Sequence, residues 1–312
     1  MRLFDLHCDT LYKAVTMHKS LNCNDFNISV SKGRFLDKWI QCYAIWLPDD
    51  LSDSEAISLF NKAVITIKEQ CSKLGIHLCK SLSEIPLEAD IDRYAVFTLE
   101  NGRILTDESK SVQMIRDSNI KIVTLTWNGD NCLGTGALTD KDYGLTQYGK
   151  KVLKELEKAN IIVDVSHSSE RTFWDVIDNS SVPITATHSD SKLITPHPRN
   201  ITDNQFLAIK EKGGVVGVNF YRGFLNADES KATVYDIIKH TEHFLSLGGE
   251  NTVALGSDFD GCELPSDIKG IESLEYIYEC FLRENYSEAL LDKLFFKNAF
   301  NFCKNFDNSK YL

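Results

Sequence analysis

His7 and Asp9 form an H-x-D pair at the end of the apolar run Leu3-Phe4-Asp5-Leu6-His7-Cys8-Asp9. In an extended chain, residues two apart point the same way, so both side chains can reach one ion. Four more apolar runs finish on groups of the same kind: 95–100 on Glu100, 161–167 on His167, 183–188 on His188 and 253–258 on Asp258. A sixth, 121–128, ends on Trp127 and Asn128. Strands buried on both faces have little reason to end on His, Asp or Glu. Such ends make sense if they converge on one polar site at the C-terminal mouth of a parallel barrel. Imidazole and carboxylate are donors that zinc accepts. His7, Asp9 and Glu100 can hold one ion, and Glu100, His167 and His188 a second, with Glu100 placing one oxygen on each. Three protein ligands per ion leave room for water, the pattern of a catalytic rather than a structural zinc. Two zinc ions sharing a hydroxide would supply a nucleophile at neutral pH and a Lewis acid for a carbonyl.

Two charged residues fit around such a centre. Asp258, in Gly256-Ser257-Asp258-Phe259-Asp260-Gly261, can take a proton from water and pass it to a leaving amine. Asp260 reads instead as a turn carboxylate. Arg199, in the segment after His188, can clamp a substrate carboxylate with two hydrogen bonds. Local sequence equally allows a surface Arg paired with an acid. Asp5 and Asp164 lie inside apolar runs and read as structural groups or as supports for the histidines. His18, His77, His197, His240 and His243 have no strand-end placement, and His240 and His243 read as a solvated helix face. The chain has no H-E-x-x-H, G-x-S-x-G or Walker A motif.

The elements that must position these groups alternate. Runs 39–46 and 214–220 bring the strand candidates to eight. Between them, 54–74 shows helical spacing (Ile57, Phe60, Val64, Ile67, Cys71, Leu74) and stops at Gly75. Segment 109–118 reads as a shorter helix, 147–160 as one capped by Thr146, and 170–178 as one capped by Ser169. Thr202 or Asp203 can cap the run to Lys212, and 233–247 is amphipathic. Eight strand–helix alternations specify an α/β fold, the (β/α)8 TIM barrel. Two extra C-terminal helices, 274–283 and 287–306, are expected to pack outside it. No Pro- or Ser-rich linker divides the chain, so residues 1–312 read as one domain. The irregular stretches 128–143 and 189–200 follow strand ends, where active-site loops belong.

Bulk properties narrow the partners. The chain of 312 residues is 43% hydrophobic and carries a formal charge of −11, which argues against nucleic acid. Its nine cysteines are scattered with no C-x-x-C, which favours free thiols. The N-terminus carries no signal-peptide pattern and no run approaches about 18 apolar residues, so neither secretion nor a membrane span is expected. The resulting expectation is a cytoplasmic protein.

Taken together these segments resemble the membrane dipeptidase (renal dipeptidase) family of zinc metallopeptidases, among the amidohydrolase-like barrels. The resemblance is carried by Asp5-Leu6-His7-Cys8-Asp9, Leu99-Glu100-Asn101-Gly102, Leu125-Thr126-Trp127-Asn128, Asp164-Val165-Ser166-His167, Thr187-His188-Ser189, Pro198-Arg199-Asn200, Gly214 to Phe220 and Gly256 to Gly261, in the family's order. It implies a dipeptidase with two zinc ions per chain, often a homodimer, with His7, Asp9, Glu100, His167 and His188 as ligands. It implies that Asp258 handles the proton and the substrate's amino group and that Arg199 binds the C-terminal carboxylate. Some relatives accept a D-residue at the C-terminal position and some open β-lactam rings. The chain departs from the mammalian pattern at Trp127, where those members carry a substrate-binding His. Asn128, Asp130 or Asn131 could take over that role, or the substrate range could differ. Two other functions remain open: a binuclear amidohydrolase acting on N-acyl amino acids or cyclic amides, and a non-catalytic peptide-binding barrel.

Overall fold

The computed structural model describes residues 1–87 and 92–308. The one-domain reading of 1–312 includes 88–91 and 309–312, which lie outside the described residues. The strands are β1 (Arg2–Asp5), β2 (Lys38–Trp46), β3 (His77–Leu78), β4 (Asp92–Glu100), β5 (Ile120–Thr124), β6 (Ile162–Asp164), β7 (Thr185–Ala186), β8 (Val215–Val218) and β9 (Val253–Leu255). The helices are α1 (Thr10–Thr16), α2 (Asp53–Leu74), α3 (Glu108–Asp117), α4 (Gln147–Lys158), α5 (Glu170–Asn179), α6 (Asp203–Glu211), α7 (Arg222–Leu225), α8 (Val234–Ser246), α9 (Leu274–Arg283), α10 (Glu288–Asp292) and α11 (Asn298–Asn308).

All pairings in the sheet are parallel, and β2 pairs with β4 to close it into an eight-stranded barrel, β1-β2-β4-β5-β6-β7-β8-β9. The two-residue β3 lies outside the ring against β4 and was not foreseen from the sequence; it is too short to carry a period. The expected caps are in place. Thr146, Ser169 and Thr202 each accept a backbone N–H, and Thr202 forms a capping box with Gln205, deciding between Thr202 and Asp203. Gly75 ends α2 in the left-handed conformation, with φ +65°.

Alternate strand residues face two different cores. Trp39, Tyr43 and Ile45 of β2 join the large cluster shared with the surrounding helices. Ile40 and Cys42 join Phe4, Leu6, Val96, Ile122, Ile162 and Ala254 in a second cluster, which includes Phe296, Ala299, Phe300 and Cys303 from the C-terminal segment. Of the two expected C-terminal helices, α9 packs outside the barrel as expected, with Leu274, Ile277 and Phe281 in the large cluster, whereas α11 and the turn before it close the barrel's N-terminal end. Arg2 grips Asp292 and lies over the Phe296 ring, and the Asn298 amide donates to the Glu250 and Val253 carbonyls beside β9. The single helix expected over 287–306 is interrupted by a π turn over Lys293–Lys297. Leu294, Phe295 and Phe296 are three successive bulky residues, all buried. The wider turn lets Phe295 reach Tyr278 and Phe281 of α9 while Phe296 stacks on Phe300.

Candidate metal centre

The strands stop before the chemistry begins. β1 ends at Asp5, but pairing continues: Cys8 bridges Phe259, and the Asp9 N–H donates to the Phe259 carbonyl. His7 and Asp9 thus lie in the loop entering α1, not in a strand as the alternation argument had it, yet they still meet, with His7 Nε2 3.4 Å from Asp9 Oδ2. His167 has also left its strand, with φ +67°. Glu100 is the last residue of β4, in register with Trp46 and Thr124. Its Oε2 is 3.5 Å from His7 Nε2, while its Oε1 is 3.0 Å from His167 Nε2 and 3.7 Å from His188 Nε2. One carboxylate therefore presents a different oxygen to each histidine set. Asp258 stands closer to this cluster than its assigned role required: Oδ1 is 3.8 Å from His7 Nε2, and the donor atoms of His7, Asp9 and Asp258 lie within 4.8 Å of one another, as do those of His7, Glu100 and His188.

These contacts are unfavourable without a cation. His7 Nε2 and Asp9 Oδ1 are buried with no hydrogen-bond partner among the described residues. His167 Nε2 and His188 Nε2 face each other at 2.9 Å, where only one of them can carry a proton. Three carboxylates are crowded into the same space. Divalent ions would answer all three problems, and the mixed N/O donors suit zinc, with manganese and cobalt as other fits. Burial works against the Glu100 carboxylate, but His7 and His167 outweigh it and hold its pKa below the usual range. Burial lowers His7, and Glu100 and Asp9 more than reverse this. Burial, with Arg199 nearby, pushes His167 down to about 4 and also lowers His188. Burial and the charges of Asp9 and Glu100 raise Asp258 to about 8, against the pull of His7.

The supports are polar and local. Asn128 Oδ1 sits 2.8 Å from His167 Nδ1, and Thr187 Oγ1 sits 2.8 Å from His188 Nδ1. Asp164 touches neither ring; it accepts from Thr187 Oγ1 and Thr124 Oγ1, both at 2.6 Å, and so acts through Thr187. Asp5 accepts from the Ser257 N–H and hydroxyl and from Gln41, fixing the start of the Asp258 turn. Asp258 itself has φ +58° and accepts from Asn219 Nδ2 at 3.1 Å. Asp260 behaves as the turn carboxylate expected, binding Thr10 Oγ1 and the Asn27 and Ile28 N–H groups. A Cβ at Gly261 would collide with the Asp9 and Asp258 carboxylates, so only glycine leaves them together.

Above the centre lies a cavity of about 620 Å³ whose lining includes Asp9, Glu100, His167, Trp127, Asn128 and Asp258. Arg199 is 4% exposed, so it is no surface residue; its Nη2 is 3.5 Å from the His188 carbonyl and its guanidinium lies over Phe224. Burial lowers it to about 10, which keeps it cationic at neutral pH. Of the residues considered as replacements for a histidine at position 127, only Asn128 stays at the centre. Asn131 is committed to Asn101, Leu125, Leu133 and Gly134, and Asp130 lines a separate hollow with Asp53 and Arg103. His240 was misread as solvated: it is fully buried, accepts from the Ser191 N–H and lies 3.0 Å from the Leu225 carbonyl. Asn219, Thr187, Trp46 and Tyr12 escaped the sequence reading. Asn219, at the end of the 214–220 run, carried the same signal as the other strand ends.

Fold and site together define a barrel hydrolase with a metal-binding mouth. The chain belongs to the membrane dipeptidase family (peptidase family M19), whose model matches residues 1–311, and it is accordingly a peptide-bond hydrolase. It is 33% identical over 240 residues to a Klebsiella pneumoniae protein from the pqqA 5′ region, a match covering 74% of this chain and 89% of that one. It is 38% identical over 160 residues to an uncharacterised dipeptidase of Schizosaccharomyces pombe, covering 50% of this chain and 38% of the yeast protein. Among solved structures, a Rhodobacter sphaeroides metallopeptidase holding a phosphinate mimic of the dipeptide L-Ala-D-Ala superposes with TM-score 0.90 at 21% identity, covering 97% of this chain and 99% of that one. A probable dipeptidase of Pseudomonas aeruginosa gives 0.88 at 16% identity, covering 98% and 96%. At these identities the likeness is one of fold.

Proposed function

We propose that this chain hydrolyses dipeptides with two zinc ions, one held by His7, Asp9 and Glu100 and the other by Glu100, His167 and His188. The observation that carries this reading is the split of Glu100, one oxygen toward His7 and the other toward His167 and His188. When bound, the metals supply a water of lowered pKa and polarise the scissile carbonyl. Asn128 and Thr187 hold the two imidazoles in one orientation, with their Nε2 atoms toward the Glu100 carboxylate, where they would hold an ion. Asp258, held by Asn219, takes the proton of the attacking water on its carboxylate and returns it to the leaving amine. Its position between the cavity and His7 also suits it to the substrate's free amino group. Arg199, a buried cation beside the His188 carbonyl, receives the C-terminal carboxylate, which limits the substrate to two residues. A D-residue at that end is part of the proposal, supported by the L-Ala-D-Ala mimic bound to the Rhodobacter sphaeroides relative. The nine free thiols fit a reducing compartment.

The test is Asp258→Asn, assayed against L-L and L-D dipeptides with metal content measured in parallel. Turnover lost with both metals retained is the expected result; near-normal turnover would end the proton-transfer role. N-acetyl amino acids and β-lactams belong in the same panel, because faster hydrolysis of either would replace the dipeptide reading with the wider amidohydrolase one.

A further inference from the structure

Three aromatic rings stand in a row at the mouth. Tyr12 of α1 meets Trp46 edge-on at 4.6 Å between centroids, Trp46 lies 5.0 Å from Trp127, and Trp127 lies 6.0 Å from the His167 ring. All three line the 620 Å³ cavity, and none belongs to either hydrophobic core cluster. Aromatic surface held out of the core and facing a cavity is surface kept for a ligand.

The barrel order fixes which part of a substrate it meets. In the ring β1-β2-β4-β5-β6-β7-β8-β9, β2 lies opposite β7 and β4 opposite β8. Trp46 ends β2, Tyr12 precedes it and Trp127 follows β5, so the row spans the β1–β5 side. Arg199 follows β7 and is stacked on Phe224, which follows β8. The candidate ligand side chains His7, Asp9, Glu100, His167 and His188 lie between. A dipeptide whose carboxylate is drawn to Arg199 and whose scissile carbonyl lies over the metals must extend its N-terminal residue toward the aromatic row. On that side Lys13 stands next to Tyr12 and its carboxylate neighbour Asp260 is bonded to Thr10, Asn27 and Ile28, while the carboxylates near Tyr12 are Asp50 and Asp9, the latter within the candidate metal cluster.

We propose that the row Tyr12–Trp46–Trp127 selects dipeptides with an aromatic or bulky apolar N-terminal side chain. This rests on the dipeptidase reading and deepens it. Trp127 then has a role of its own: it exchanges a polar contact for apolar surface.

The experiment is kcat/KM on the zinc-loaded enzyme for Gly-, Ala-, Leu-, Phe-, Asp- and Lys-D-Ala and their L-Ala counterparts, for the parent, Tyr12→Ala, Trp127→Ala and Trp127→Phe. The Phe-to-Gly ratio is internal to each preparation, so it does not depend on the fraction of folded enzyme. The expected ratio in the parent is about tenfold or more, the scale on which apolar pockets discriminate. It should fall toward one in Trp127→Ala, fall in Tyr12→Ala, and be largely kept in Trp127→Phe. A flat parent panel, a preference for Lys or Asp, or a ratio unmoved by Trp127→Ala would overturn the proposal while leaving a dipeptidase. Failure to cleave any dipeptide would overturn both readings.

Discussion

At the scale of single residues, Glu100 and Asn128 make separable predictions. Glu100→Gln removes the anionic pair that faces both histidine sets, so metal bound per chain should fall together with turnover, read by elemental analysis. Asn128→Ala leaves every proposed ligand in place but frees His167 Nδ1 from its 2.8 Å partner. A support of this kind is worth about 10–100-fold in metal affinity, and a chelator-competition titration should show that loss; unchanged affinity would mean the contact does not orient the ring. The proposed ligands stand out in the sequence because a buried strand that ends on His, Asp or Glu breaks its own apolar pattern, and the structure brings their donor atoms together. The supports were not. Thr187 and Asn128 look like ordinary neighbours of a ligand, and only the fold turns Thr187 Oγ1 toward His188 Nδ1. Asp5 and Asp164, expected as structural groups or partners of the histidines, bond no imidazole; they hold Ser257 and Thr187 instead, a relay that no spacing encodes.

At the scale of elements, the strands proved shorter than the apolar runs that announced them. Periodicity does not distinguish the last strand residue from a loop residue that is still buried, which is why β7 occupies two residues of a six-residue run. Closeness of elements at the mouth depends on glycine: a Cβ at Gly217 or Gly256 would strike the Thr187 carbonyl. Gly256→Ala should therefore lower both stability and metal occupancy, because Thr187 and His188 must shift. The lower end of the barrel is independent of the chemistry. Phe296→Ala should cost about 3–5 kcal/mol, seen as a fall in Tm, with the metal content of the folded protein unchanged. His240 ties α8 to the 189–200 loop. Burial lowers its pKa from 6.5 to about 4, so unfolding takes up a proton between those values. Its contribution is intact above about pH 6.5 and is lost as pH falls toward 4, up to roughly 3 kcal/mol at the 1.36 kcal/mol per unit conversion. Denaturant midpoints from pH 7 to pH 4.5 should show a fall that is shallower in His240→Gln.

At the scale of the whole molecule, eight alternating segments made the barrel legible, because each strand candidate was followed by a helical pattern or an irregular stretch. The closure of its lower end was not legible, since three adjacent bulky residues fit no single helix face and the π turn that resolves them is set by packing on α9 and β1. The mouth concentrates Asp9, Glu100 and Asp258 in a chain already at −11. Metal binding should thus stabilise the whole fold, by RT ln(1 + [L]/Kd), and chelation should lower Tm. The most direct measurement is elemental analysis of the purified protein coupled to amino-acid release from dipeptides before and after chelation. The account predicts about two divalent ions per chain and hydrolysis that stops on chelation and returns with zinc. Hydrolysis that persists in metal-free protein, or a reconstituted protein that holds no metal, would contradict it.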